Sequence, residues 1–185
     1  MASELRRTKI QGVFELRSHV FVDARGSFLN AFRAQEEAFI SSWGDRAIAQ
    51  VNISHNKVLG TIRGLHFQAE PNSEAKLVRC LKGRVWDVAV DLRIDSPSFG
   101  QWHAVELSPE LSNALLVPEG CAHGFQVMQP DSELFYLHSS FWVPEAEKGV
   151  RWDDPQLAIS WPLSPMEMSD RDRNLPLISD ILPLY

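Results

Sequence analysis

Cysteine is scarce. Cys80 and Cys121 are the only two among 185 residues, too few for a disulfide framework. Both sit among apolar neighbours, which reads as buried free thiols in a reducing cytoplasm. A basic excess is also missing. Lys and Arg number 18 against 24 Asp and Glu, a net charge of -6, and the basic residues form no long run, so no nucleic-acid partner is expected. A local basic pocket for a small anion stays compatible with that total. No apolar run reaches the length of a membrane span, so no membrane partner is expected. The first residues, Met1 to Arg7, lack the apolar stretch of a secretory signal. There is no internal repeat, no low-complexity tract and no long linker. Dinucleotide fingerprint, phosphate-cradling glycine loop and Cys/His zinc pattern are all absent.

What is present suits a folded chain: 44% hydrophobic and 23% charged residues exclude intrinsic disorder. A chain of this length buries a sizeable core, and one domain over residues 1–185 is expected. The middle reads as short strands rich in β-branched and aromatic residues, at Gln50–Ser54, Gly60–Gln68, Ala75–Leu81, Arg84–Leu92, Gln101–Leu107, Ala114–Val117, Gly124–Met128 and Glu133–Phe141. Turn signals such as Lys82-Gly83 and Pro118-Glu119-Gly120 separate them, which predicts an all-β sandwich or barrel. Between Arg84 and Arg93 the alternation puts Trp86, Val88, Val90 and Leu92 on one face and Val85, Asp87, Ala89 and Asp91 on the other. The second face can line a polar cavity. Asp87 and Asp91 read as cavity residues or as structural partners of Arg79 and Arg93. One short helix is expected at Gln35–Trp43, stopped by Gly44 and lying outside the sheet. After Pro144 the chain reads as packed loops with short elements.

The densest chemistry lies in Gly60-Thr61-Ile62-Arg63-Gly64-Leu65-His66-Phe67-Gln68. Ideal alternation points His66, Gln68, Gly64 and Ile62 one way and Arg63 the other, and a bulge near Gly64 would re-aim Arg63. A lone strand histidine is usually a core residue. Here His66 and His123 occur with Arg63, Lys76 and Arg79, which weakens the core reading without removing it. Taken singly, Lys76 is a surface lysine, Tyr136 an ordinary strand tyrosine and Asp172 part of a solvated charge cluster.

The element Pro118-Glu119-Gly120-Cys121-Ala122-His123, following His66-Phe67-Gln68, resembles a cupin, a double-stranded β-helix or jelly roll. Metal-binding cupins carry a second histidine where this chain has Gln68, and an acidic ligand near the position of Lys76. Two imidazoles with no carboxylate between them make a poor transition-metal site, so no metal is expected. The resemblance narrows to one non-metal branch. Asp23-Ala24-Arg25-Gly26-Ser27-Phe28, Gln50-Val51-Asn52, Arg63 to Gln68, Lys76 to Cys80, Asp87 to Arg93, Pro118 to Phe125, Gly149 to Pro155 and Ile159 to Pro162 follow the order of the dTDP-4-dehydrorhamnose 3,5-epimerase family. The likeness covers about residues 12 to 176.

That resemblance implies a cupin jelly roll with a short N-terminal helix and a C-terminal loop and helix region. It implies an epimerase acting at C3, C5 or both of a nucleotide-linked 4-keto-6-deoxyhexose, with no cofactor. His66 matches the family's base, Asp172 its carboxylate partner, Tyr136 the proton donor and Lys76 the lysine beside the enolate oxygen. Arg63 and His123 match further pocket residues. Nucleotide recognition maps onto Arg25, Gln50, Asn52, Glu147 and Arg171. Because the family builds this site partly from a neighbouring subunit, a homodimer is implied. Three departures fall on the nucleotide-sugar side: Asn30 for Glu, Trp142 for Tyr and Arg171 for Lys. Trp142 lies on the Tyr136 face by strand alternation. A 3-only epimerase, a ketoisomerase or dehydratase, a metal-dependent cupin oxygenase and a non-catalytic sugar-binding cupin are the alternatives.

Overall fold

A computed structural model describes residues 2–181; Met1 and 182–185, the ends of the expected domain, lie outside the described residues. Four short strands come first: β1 (Glu4–Arg7), β2 (Phe14–Arg17), β3 (Val20–Asp23) and β4 (Gly26–Leu29). Helix α1 (Glu37–Ser42) follows. Then come β5 (Gln50–Asn56), β6 (Ile62–Gln68), β7 (Lys76–Lys82), β8 (Val85–Asp91), β9 (Trp102–Leu107), β10 (Asn113–Val117), β11 (Cys121–Val127) and β12 (Ser132–His138). The chain closes with β13 (Glu147–Gly149), α2 (Asp170–Arg173) and α3 (Ile178–Ile181). The expected central strands are all present, with ends shifted by a few residues. The overestimate at Phe141 matters most, because β12 stops at His138 and Trp142 therefore sits in a loop rather than on the Tyr136 strand face.

Two antiparallel sheets form a sandwich. One has the order β1-β2-β10-β7-β12-β5 and the other β13-β6-β11-β8-β9. The β3–β4 pair is a separate hairpin. Val78, Cys80, Leu115 and Leu134 of the first sheet meet Val85, Ala89, Leu107 and Phe125 of the second between the layers. Outside the first sheet, Ala38 and Phe39 of α1, with Trp43, cover Leu16, Leu77, Leu116 and Leu137. Outside the second, Val150, Leu157, Ile178 and Ile181 cover Leu65, Phe67, Val88 and Val90. Burying each such side chain stabilises the fold by roughly 1.5–3 kcal/mol relative to leaving it exposed.

These layers explain the alternation of β8. Its wholly apolar face packs under the C-terminal segment, and its mixed face points between the sheets. Asp91 accepts from Arg93 (Nε, 2.8 Å), Ser96 and Ser98, the expected structural partnership. Asp87 does not pair with Arg79. On β7, Val78 and Cys80 point inward, so Arg79 points out. There it donates to the Ala31 carbonyl (2.9 Å) and to Ser18 Oγ (2.6 Å), and burial lowers its pKa to about 10. Both cysteines are buried and unbridged, and burial pushes their thiols up to about 12. Gly44, at φ 65°, ends α1 by donating to the Phe39 and Ile40 carbonyls. Among the described residues no helix is long and apolar enough to cross a membrane.

Candidate active site

The space between the sheets is not filled at one end. There β5, β6, β7, β11 and β12 surround a cavity of ≈ 1100 Å³. His66, Lys76, His123, Tyr136, Arg63 and Asp172 all line it.

His66 is the centre of the first group. Its Nε2 lies 2.8 Å from Asp172 Oδ1. Asp172 Oδ2 accepts the Gly64 backbone N–H at 3.1 Å, and the Asp172 N–H donates to Ser169 Oγ, the cap of α2. Burial pushes the Asp172 carboxyl up. The hydrogen bond and charge of His66, with Gly64 and Ser169, outweigh that and hold it below its ordinary value of 3.8. An ionised Asp172 fixes the proton of neutral His66 on Nε2, and Nδ1 keeps its lone pair to accept a proton. Residues 66 and 172 meet because the C-terminal segment packs across the outer face of the β6 sheet and delivers α2 to β6.

Arg63 reaches the same cavity through a bulge. His66 pairs with His123, but Arg63 pairs with Phe125, so three steps on β6 oppose two on β11. The extra residue turns Arg63 to the His66 side, and its Nε donates to Asn56 Oδ1 at 2.8 Å. Gln68, in contrast, is buried away from the chemistry. It donates to the Asn72 and Phe141 carbonyls and accepts from the Val143 N–H, bracing two loops.

Tyr136, Lys76 and His123 complete the cavity floor. The Tyr136 hydroxyl lies 3.2 Å from Ser54 Oγ, and burial drives its pKa far above the ordinary phenol value, so it stays protonated. Its ring stacks on His138 and meets His123 edge-on. Lys76 is buried, with Nζ 3.0 Å from Glu74 Oε1. His123 Nε2 lies 2.9 Å from Asp87 Oδ1; Asp87 is fully buried, burial raises its pKa, and its Oδ2 has no hydrogen-bond partner among the described residues. Among the described residues no group of three or more His, Cys, Asp or Glu side chains could hold a metal ion.

The residues expected on the nucleotide side divide. Gln50, Asn52, Trp142, Glu147 and Arg171 all border the cavity. Glu147 Oε2 accepts from Trp142 Nε1 at 3.0 Å and from Arg171 at 2.7 Å. Burial opposes this, but Arg171 and Trp142 hold the Glu147 carboxyl below its ordinary value. Arg25 and Asn30 are not brought to the cavity by this chain. Arg25 sits on the turn of the exposed β3–β4 hairpin, paired with Asp23, and the Asn30 carbonyl accepts from Ser18. Sequence reasoning missed Glu74, His138, Ser54 and Asn56. The two-residue step from Tyr136 to His138, and from Lys76 back to Glu74, was the available signal.

Comparison with known proteins gives the family and the fold. A family profile described as dTDP-4-dehydrorhamnose 3,5-epimerase matches residues 7–180. A Sinorhizobium fredii protein named dTDP-4-dehydrorhamnose 3,5-epimerase is 40% identical over 90% of this chain and 85% of its own length. A Streptomyces niveus protein named dTDP-4-dehydrorhamnose 3-epimerase is 37% identical over 98% of this chain and 89% of its own. The crystal structure of a Legionella pneumophila dTDP-6-deoxy-D-glucose-3,5-epimerase in complex with dTDP-4-keto-L-rhamnose superposes with a TM-score of 0.92, at 35% identity over 98% of this chain and 96% of that one. Matched over nearly its whole length in sequence and fold, this chain belongs to the dTDP-4-dehydrorhamnose 3,5-epimerase family and is an isomerase with a cupin fold.

Proposed function

We propose that this protein inverts C3 and C5 of a dTDP-linked 4-keto-6-deoxyhexose by proton removal and return. One observation carries the reading: the two proton-transfer groups stand on facing sheets. His66 is on β6 and Tyr136 on β12, with the cavity between them. A sugar ring held there has an imidazole on one side and a phenol on the other. The C4 ketone acidifies the neighbouring C–H bonds. His66 Nδ1 takes one proton, the C–H electron pair moves to the carbonyl oxygen, and the Lys76 ammonium stabilises the enolate. Tyr136 then donates to the opposite face as the enolate pair returns to carbon and the carbonyl re-forms, which inverts the centre; solvent takes the proton from His66 and returns one to Tyr136. The carbonyl is the electron sink, so no redox group takes part.

Gln50, Asn52, Trp142, Glu147 and Arg171 form the nucleotide end of the same cavity in this reading, and Arg171 suits a diphosphate oxygen. The β3–β4 hairpin completes the site of a second copy. It exposes Phe21, Val22 and Phe28, and edge strand β5 exposes Val51 and Ile53. Such a patch favours burial in a homodimer, in which Arg25 and Asn30 reach a neighbour's nucleotide. The free thiols fit a cytoplasmic location.

The test is incubation with dTDP-4-keto-6-deoxyglucose in D₂O, followed by NMR. Deuterium at C3 and C5 with conversion of the sugar is expected; no exchange at either carbon would sink the reading. Exchange at C3 alone would support the narrower activity named for the Streptomyces niveus relative, which is similar over nearly the whole chain. Sedimentation of the same protein as a monomer at micromolar concentration would remove the dimer.

A further inference from the structure

The cavity holds one more histidine paired with a buried carboxylate, and the reaction above does not use it. His138 follows Tyr136 by two residues on β12, with Gln50 directly opposite it and Asn52 opposite Tyr136. Its Nδ1 lies 2.8 Å from Glu74 Oε2, while Glu74 Oε1 lies 3.0 Å from Lys76 Nζ. Burial disfavours charge on Glu74, but His138 and Lys76 prevail and keep it ionised.

From His138 a run of hydrogen bonds crosses the cavity wall to the nucleotide end. The Trp142 backbone N–H donates to Gln50 Oε1 (3.1 Å). Gln50 Nε2 donates to Asn52 Oδ1 (3.1 Å), and Asn52 Nδ2 faces His138 Nε2 at 3.4 Å, the longest link. The two ends set the polarity. A backbone N–H can only donate, and an ionised carboxylate can only accept. Gln50 must therefore turn its oxygen to Trp142 and its amide nitrogen to Asn52. Asn52 then turns its own nitrogen to His138. His138 satisfies both neighbours in one form only, neutral with the proton on Nδ1 and the lone pair on Nε2.

We propose that Glu74 and His138 are positioning residues that lock the amides of Asn52 and Gln50, and with them the Trp142 backbone, in the orientation that receives the nucleotide. This rests on the functional reading above, and extends it to a pair that ties the nucleotide end to Lys76. Glu74 acts through His138. An amide at position 74 that keeps its oxygen on Lys76 presents its nitrogen to Nδ1. That moves the imidazole proton to Nε2, where it confronts the Asn52 amide nitrogen, and the run must break.

The experiment uses the full-length protein, with dTDP as the probe. In ¹⁵N NMR the wild type should show His138 protonated on Nδ1, and Glu74→Gln should move that proton to Nε2. Calorimetry should show dTDP binding weakened about tenfold in Glu74→Gln, the scale of one or two lost hydrogen bonds. His138→Phe, which keeps the ring against Tyr136 but removes both nitrogens, should weaken it to a similar degree. The double variant should be no weaker than either single one, because both act through one path. An unchanged His138 tautomer in Glu74→Gln, dTDP affinity within twofold of wild type in both single variants, or additive losses would each overturn the inference while leaving the functional reading standing. A wild type that binds no dTDP would overturn that reading and the inference together.

Discussion

His66 owes its tautomer to Asp172, and Asp172 owes its charge to the hydrogen bond and charge of His66, the Gly64 N–H and the neighbouring Ser169 side chain. Replacing Asp172 by Asn keeps the shape but lets an amide donate to Nε2, which leaves the wrong nitrogen protonated. Deuterium exchange into the ketosugar should fall by roughly 100- to 10,000-fold, the range for a proton-transfer group, with dTDP affinity little changed. Tyr136→Phe should reduce turnover on the same scale, while exchange at the carbon served by His66 outlasts net inversion in NMR time courses. Asp172 also predicts a pH dependence of stability. Its pKa is depressed by folding, so its contribution is complete above its ordinary value of 3.8 and disappears as pH falls through the folded value. Urea midpoints measured from pH 6 down to pH 3 should therefore fall more steeply for wild type than for Asp172→Asn. At this scale resemblance to a family picked out His66, Tyr136 and Lys76, which the structure brings to one cavity. It was silent on Glu74 and His138, because only packing shows that a strand histidine meets a carboxylate 64 residues away.

Strand β6 shows why an element can be identified correctly and still be misread in detail. Ideal alternation separates Arg63 from His66. The bulge beside Gly64, visible only as a glycine in the sequence, puts both on the cavity side. Gly64 sits at φ 125°, and a Cβ there would lie 2.5 Å from Gly124 Cα and 2.8 Å from the His123 carbonyl oxygen. Backbone on both counts cannot yield as a flexible side chain would. Gly64→Ala should destabilise the fold by about 2–4 kcal/mol, read as a lowered urea midpoint, and should disturb His66 and Asp172 together. Strand β12 carries the opposite lesson. After His138 and two serines the sequence resumes with Phe141, Trp142 and Val143, which reads as more strand, but pairing with β5 and β7 stops at His138. Gln68 pins the following loop, and Trp142 reaches the cavity from it. The short strands β1 to β4 and β13 were not readable at all, since segments of three or four residues show no period that distinguishes a strand from a loop.

Across the whole molecule, the C-terminal segment both covers a sheet and lines the candidate site. Its Leu157, Ile178 and Ile181 seal the outer face of the β6 sheet, and Asp154 receives the Ile178 N–H. The same segment carries Asp172. Ile178→Ala should cost about 2–4 kcal/mol of stability and should lower exchange activity at temperatures well below the unfolding midpoint, because loosening the cover also loosens the partner of the base. Thermal unfolding and exchange rates on one preparation would show whether the two decline together. Composition, strand periodicity and the ordered motifs were enough to determine an all-β chain of the epimerase family, because hydrophobic alternation and local residue type are written along the chain. The meeting of His66 with Asp172, the inward turn of Arg63, the exchange of Asp87 from Arg79 to His123, and the path from Glu74 to Trp142 were decided by the tertiary structure alone. Each depends on which face of which sheet a residue reaches, and that is fixed by how distant segments pack, not by their neighbours in sequence.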